Sequence, residues 1–429
     1  MTTIVLFGSL FIFLLMSVPI GIAIGLSTVL TMMTVSDVNF STFILQSFSG
    51  LDSYPLMAIP FFMLAGILMG KGGVSKKLLH LAGQLVGWLS GALAYITVVA
   101  CMFFSAISGS GNATVAAIGS AIIPEMRAKK YGEGFAAAIT ASAGAIGIVI
   151  PPSIPFVLFG VMGGVSIGSL FLAGIIPGIL IGIALMIASY FVLKKNKDIV
   201  EESDYEAVSW KSFLKAVLDA KWALFAPILI LGGIYGGFFT ATEAAAVAVV
   251  YAFLVGVFAH KELKWQGIKE SLLETISITG VTMYMIGVSI AFAYLLTIER
   301  VPHTIAETIL LISDNPIIIL LLINIFLLFV GAVVDTIAAL VVLTPILLPI
   351  AVQFGIDPVH FGVILVVNLA IGFVTPPIGA NLFIAAAVGK VSIEKVSIAA
   401  VPLIITLIIC LFIISYVPSL SLLLPNLAK

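Results

Sequence analysis

The chain predicts an all-α polytopic membrane protein, an inverted repeat with two re-entrant helical hairpins and two helices broken at Pro-Pro. Three observations predict it. Of 429 residues 62% are hydrophobic and 9% charged, where a soluble domain carries about 25% charged residues. Residues 104–160 and 329–385 read as one passage written twice without a gap: Phe104 falls on Phe329 (329 − 104 = 225), Ala113 on Ala338, Pro124 on Pro349 and Ile139 on Ile364. Lys and Arg gather in a few loops, and the two copies sit differently with respect to them.

Spans need about 20 apolar residues, and cytoplasmic loops collect Lys and Arg. Basic loops at 71–77, 127–130, 194–197, 211–221, 261–269 and 390–395 are placed in the cytoplasm. Between Lys269 and Lys390 the one Lys or Arg is Arg300, so the region from Arg300 to Asn315 is placed outside.

The first apolar run, Ile4–Val35, lacks a charged n-region and a small-residue cleavage site and reads as a retained span. Phe43–Met69 reads as the next. The stretch from Lys77 to Arg127 then starts and ends in the cytoplasm and turns at Ser108-Gly109-Ser110-Gly111-Asn112. Its return limb, Ala113 to Met126, is 14 residues long, or roughly 21 Å against a hydrocarbon core of ~30 Å. A hairpin entering and leaving on the cytoplasmic side accounts for this, with its polar tip buried in protein.

The helix that follows breaks at Pro151-Pro152, since proline lacks an N–H and clashes with the preceding turn. Ile167–Leu193 closes the first half. Residues 194–221 form a cytoplasmic linker with an interfacial amphipathic helix around Trp210–Leu218. Trp222–Phe238, Ala241–Ala259 and Ile268–Ile298 begin the second half. Thr240 and Glu243 spell a capping box, which gives Glu243 a structural role. The second hairpin, Ile317–Val333 and Thr336–Ala351, turns at Val334-Asp335, and its uncharged outer ends place its entrance outside. A helix broken at Pro376-Pro377 follows, and Ile393–Leu424 ends the chain.

Matched breaks in two halves mark a transporter binding site. Ser108, Ser110, Asn112 and Thr114 offer neutral oxygens, and Gly147 to Pro152 faces them in the repeat. The second set is Gly331, Asp335, Thr336, Gly372 and Thr375. Oxygens without thiol or imidazole suit a hard cation such as sodium, aided by the negative ends of half-helices. Small residues also line ordinary helix contacts. Asp335 is the sharpest single residue, because a carboxylate inside a membrane is costly. It could ligate a cation, carry a proton or bind substrate, and it could cap the helix from Thr336. Half-helix N-termini at Ser153 and Asn381 can receive a substrate carboxylate.

Several functions are excluded. The net charge of −1 gives no case for nucleic acid. Cys101 and Cys410 lie in apolar runs, without disulfide or metal spacing. No Walker lysine motif is present, so transport draws on an ion gradient or another chain. His80, His260, His303 and His360 fall near predicted span ends, which leaves no buried serine–histidine pair for an enzyme. No organic cofactor is expected.

Ser-Gly-Ser-Gly-Asn-Ala-Thr at 108–114, Pro151-Pro152-Ser153, Gly237-Phe238-Phe239-Thr240-Ala241-Thr242-Glu243-Ala244-Ala245-Ala246 and Thr375-Pro376-Pro377-Ile378-Gly379 resemble the large membrane (permease) subunit of tripartite ATP-independent periplasmic (TRAP) transporters. The resemblance covers nearly the whole chain. It implies an elevator-type sodium symporter of the bacterial inner membrane, working with a small membrane subunit and a periplasmic substrate-binding protein. It implies import of an organic acid, a C4-dicarboxylate or sialic acid, and the overall likeness leans to the sialic acid branch. Residues 1–75 and 222–313 would be scaffold, with 76–193 and 314–429 the moving transport domain. By motif position, Ser108, Ser110, Asn112, Gly147 and Pro151 would serve one sodium site, and Gly331, Asp335, Gly372 and Thr375 the other. Ser108, Ser153 and Asp335 would touch substrate. A stand-alone carrier needs no partner chain, and a channel predicts downhill flux without saturation.

Overall fold

A computed structural model describes residues 2–36, 38–194, 209–310 and 315–428. The described residues are helical throughout, with no strand. In the first half α1 (Thr2–Leu15), α2 (Ile20–Thr34), α3 (Phe40–Ser49), α4 (Ala58–Lys71) and α5 (Val74–Val86) precede a helix–turn–helix of α6 (Ala92–Ser108) and α7 (Gly111–Ala128). Next come α8 (Glu133–Gly144), α9 (Ile154–Gly163) and α10 (Ile167–Lys194). The second half has α11 (Trp210–Tyr235), α12 (Ala241–Leu254), α13 (Trp265–Ile298) and α14 (Val301–Leu310), then the pair α15 (Pro316–Val333) and α16 (Thr336–Gln353). It ends with α17 (Pro358–Gly372), α18 (Ala380–Gly389), α19 (Ile393–Tyr416) and α20 (Ser419–Leu427). Eight of the described helical segments are long and apolar enough to cross a membrane, which makes this a multi-pass membrane protein.

Element boundaries repeat with the sequence. Helices α7 and α16 are both 18 residues long and start 225 apart (336 − 111). Both copies carry a cis Pro-Pro bond, at Pro151-Pro152 and Pro376-Pro377. Polar side chains set the helix starts on either side of these turns: Ser110, Ser153 and Asp335 cap α7, α9 and α16.

The broken helices occupy the centre. Every residue of α8 from Phe135 to Gly144 is buried, and so is every residue of α17 from His360 to Gly372. A helix apolar on all sides belongs in a core. The first break, at Pro151-Pro152, is wrapped in protein, as backbone irregularity at membrane depth requires, whereas Pro376, Pro377 and Ile378 of the second are exposed.

Four predicted segments come out differently. Ile4–Val35 is two helices, α1 and α2, packed on each other across a turn at Ser17 (φ +60°) and Pro19. Phe43–Met69 is likewise divided, by Gly50–Ser53 and a short 3-10 turn, into α3 and α4. Neither α1 nor α2 exceeds 15 residues, about 22 Å. In the opposite sense, the interfacial helix at Trp210–Leu218 and the span after it are one unbroken helix, α11; residues 195–208 of the linker lie outside the described residues. Ile393–Leu424 divides at Pro418 into α19 and α20.

The capping box forms as read: Glu243 N donates to Thr240 Oγ1 at 3.3 Å, and Thr240 N donates to Glu243 Oε2 at 2.8 Å. Cys101 and Cys410 are free and buried. Close approach is built on glycine, as where α15 meets the second break: a Cβ on Gly372 would collide with the Gly331 carbonyl group. Gly372→Ala is expected to lower the detergent-solubilised protein's stability by about 1–3 kcal/mol, the cost of overpacking. Gly232→Ala, with open space around it, should leave the melting curve in place. Equal melting of the two variants would contradict the packing.

Candidate transport site

The first tip folds through its own hydroxyls. Ser110 Oγ accepts from Ala113 N at 3.4 Å, Thr114 Oγ1 donates to Ser110 O at 2.8 Å, and Ser108 Oγ lies 3.1 Å from Thr114 Oγ1. Gly109 takes φ +62°, where a side chain is strained. The tip then presses on the first break. Ile154 N donates to Gly109 O at 3.3 Å. A Cβ on Gly147 would stand 2.8 Å from both Ser110 O and Thr114 Oγ1. A Cβ on Gly111 would stand 3.1 Å from Gly144 O.

Neutral oxygens therefore face one another here. The Asn112 Oδ1 atom is buried with no hydrogen-bond partner, and so is Asn381 Oδ1, whose Nδ2 donates to Ala141 O at 3.0 Å. Asn381 thus comes from the second half to lie against the first break. Pro151 is buried in the turn behind. Ser153 is spent locally: its hydroxyl donates to Ile148 O at 2.5 Å and accepts from Phe156 N at 3.3 Å.

The second tip repeats the plan with different chemistry. Gly331 and Gly372 touch backbone to backbone, and Ile378 N donates to Ala332 O at 3.3 Å. Thr375 Oγ1 donates to Ile371 O at 2.7 Å. Asp335 Oδ2 accepts from Ile337 N at 3.0 Å, capping α16, while its other oxygen and the exposed side chain are free to face a ligand.

Both tips open on one cavity of about 320 Å³. Its wall includes Ser108, Ser110 and Asn112 from the first and Asp335 and Thr336 from the second. Gly147, Pro151, Gly331, Gly372 and Thr375 lie behind the tips, and Ser153 and Asn381 are buried away from this wall. Sequence reading missed Glu274 of α13, which also lines it. Lys71 at the end of α4 holds Glu274 at 3.4 Å and Glu270 at 3.5 Å. The signal for Glu274 was a second carboxylate four residues after Glu270, one helical turn further into the span read over Ile268–Ile298. A second cavity of about 340 Å³, with Lys71, Lys76 and Glu262 in its wall, shares Ile67, Ala113, Ala116 and Glu274 with the first. No three His, Cys, Asp or Glu side chains cluster among the described residues. The donor set is oxygen, the chemistry of a hard cation.

The family described as the DctM component of tripartite ATP-independent periplasmic transporters matches residues 7–420. The chain belongs to that family. A relative named an isethionate TRAP transporter permease protein, DctMQ, from Oleidesulfovibrio alaskensis is 48% identical over 97% of this chain; the chain spans 65% of that relative's length. Two relatives from Vibrio cholerae, named a C4-dicarboxylate and a sialic acid TRAP transporter large permease protein, are 39% and 41% identical. They cover 96% and 89% of this chain, which spans 95% and 88% of them. The YdaH transporter of Alcanivorax borkumensis shares the fold, with a TM-score of 0.59 over 88% of this chain and 87% of its own at 14% identity. This DctM-family chain is accordingly a transporter component and not an enzyme.

Asn caps a helix as well as Asp does, so Asp335→Asn removes charge and spares the fold. Uptake by that variant is expected to fall about tenfold or more, the scale of one charge-assisted contact, with melting unchanged. Wild-type uptake by the variant would remove Asp335 from the site.

Proposed function

We propose that this chain carries out sodium-coupled uptake of a small organic acid across the bacterial inner membrane, as the large subunit of a tripartite transporter. The observation that carries the reading is the single cavity walled by both hairpin tips, with a Pro-Pro break behind each. Re-entrant hairpins of opposite entrance, one from each copy of an inverted repeat, account for this meeting point and for the charge pattern of the loops.

Among the described residues the cavity wall holds Asp335, which has no ion-pair partner, and Glu274, which Lys71 pairs from outside the wall, but no Lys or Arg. An anion would be repelled there unless cations enter with it, because charge repulsion is strong away from water. Sodium bound at Ser108, Ser110, Asn112, Gly147 and Pro151, and at Gly331, Asp335, Thr336, Gly372 and Thr375, supplies the missing positive charge. Cation and anion are then bound as one neutral load, which is the basis of symport. Half-helix carbonyls and orphaned amide oxygens provide the ligands without a compact charge cluster.

A cavity of about 320 Å³ is at the small end of ligand pockets and fits a small hydroxylated or carboxylated anion. The isethionate relative, at 48% identity against 39% and 41%, favours a short sulfonate or carboxylate over sialic acid. Residues 76–193 and 314–429 carry the site and form the moving body of an elevator, with 1–75 and 222–313 as its frame. The part of the isethionate relative beyond this chain fits the small membrane subunit carried on the same polypeptide. A periplasmic binding protein delivers the substrate.

Proteoliposome uptake is expected to need the small subunit, the binding protein and an inward sodium gradient together. Uptake indifferent to the binding protein would favour a stand-alone sodium-coupled carrier. Separately, Asn381→Ala tests what that orphaned oxygen serves. A rise of about fivefold in half-saturating sodium, one hydrogen bond's scale, with substrate KM unchanged would place it with the first cation. A rise in substrate KM alone would place it with the substrate.

A further inference from the structure

A chain of polar side chains runs through the core of the second half, outside the site. Asn324 of α15 donates from Nδ2 to Ser415 Oγ of α19 at 3.0 Å. Asn368 of α17 donates from Nδ2 to Asn324 Oδ1 at 2.8 Å and to Ile364 O of its own helix at 2.9 Å. His360 Nε2 lies 3.2 Å from Ser415 O. Asn324 and Asn368 are fully buried, Ser415 is 1% exposed and His360 2%.

Burying amides is costly, and the fold does not demand it. At the repeat offset of 225 the first half has Val99, Ala143, Tyr190 and Phe135 in place of Asn324, Asn368, Ser415 and His360. The same helices pack there without a ladder. Something particular to the second half retains it.

The difference lies in how the two hairpins are held. Helices α6 and α7 pack along each other, whereas α15 rests on α17 and hardly touches α16. Registration of α15 must therefore come from α17. Asn324 precedes Gly331 by seven residues, two turns on the same face, and Asn368 precedes Gly372 by four. The Asn–Asn bond thus sits on the same α15–α17 seam as the Gly331–Gly372 contact. Gly331 lies 3.5 Å, measured from a Cβ position, from Asn368 O.

We propose that Asn324 and Asn368 are positioning residues: their bond sets the second hairpin tip against the second break, and so sets the affinity of the cation held there. The part concerning the cation rests on the sodium reading above; the part concerning the tip does not.

The test writes the first half's residues into the second as Asn324→Val with Asn368→Ala. Removing both partners leaves no orphan between them, and the stability cost is that of the Ser415 hydroxyl, which loses its donor from Asn324. Hydrogen exchange of the full chain in nanodiscs should then show amides at 331–336 exchanging about fivefold faster, one net hydrogen bond's worth, with those at 108–114 unchanged. Half-saturating sodium for uptake should rise by a similar factor while substrate KM at saturating sodium stays put. If the double variant does not assemble, Asn324→Ser, too short to span the seam, carries the same expectations. Unchanged exchange at 331–336 overturns the positioning role, whatever the coupling ion. Faster exchange with wild-type sodium dependence overturns the link to the cation. Wild-type uptake that ignores sodium overturns the sodium reading and leaves the exchange result to decide the role of the pair.

Discussion

Everything in this molecule turns on backbone carbonyls freed where two buried helices break. Each Pro-Pro pair removes two N–H donors from the turn after a buried helix, α8 or α17, and the carbonyls left over need partners. Elsewhere in the core the chain supplies them from its own helices. At the two breaks it brings up a hairpin tip instead, with glycines where backbone must meet backbone. Gly147 against Ser110, Gly109 against Pro152, Gly111 against Gly144 and Gly372 against Gly331 are among the contacts that make the approach possible. In the proposed mechanism a cation completes what the protein leaves unsatisfied.

The duplication is one of scaffold and not of chemistry. Ser110 and Asp335 share a position at the repeat offset (335 − 110 = 225), and both cap the helix that follows. One is neutral and the other is a carboxylate in the wall of the cavity. The first tip is braced by its own limbs, and Asn381 from the opposite half bonds Ala141 of α8, beside the first break. The second depends on a buried asparagine pair that its counterpart lacks. Two sites that differ in charge and in bracing can differ in affinity and in order of filling.

Much of this was legible in the residues. Polar interruptions and Pro-Pro pairs stand out in an apolar chain, so both tips and both breaks were placed from sequence, and α7 and α16 start within two residues of the limbs read for them. The divisions of α1 from α2 and α3 from α4 were not seen, because Ser17, Pro19 and Gly50 interrupt hydropathy too little to register. The ladder escaped for a related reason. Single asparagines in long apolar helices carry no pattern, and only the fold shows that Asn324 and Asn368 meet. His360, read as lying near a span end, is the third residue of α17 and is buried against the Ser415 carbonyl, the hydroxyl of Ser415 being taken by Asn324. Ser153 and Asn381, chosen for their place after the breaks, serve packing and the first break rather than the cavity wall.

The central claim is that each break binds one coupling cation and that the substrate anion is held between them. Counting labelled sodium taken up per substrate by the reconstituted transporter tests it most directly. The account predicts about two sodium ions per substrate, one for each Pro-Pro break in the fold, and a loss of one when Asn112→Ala removes a donor at the first tip. A wild-type ratio of zero, or one that the variant leaves unaltered, would contradict it.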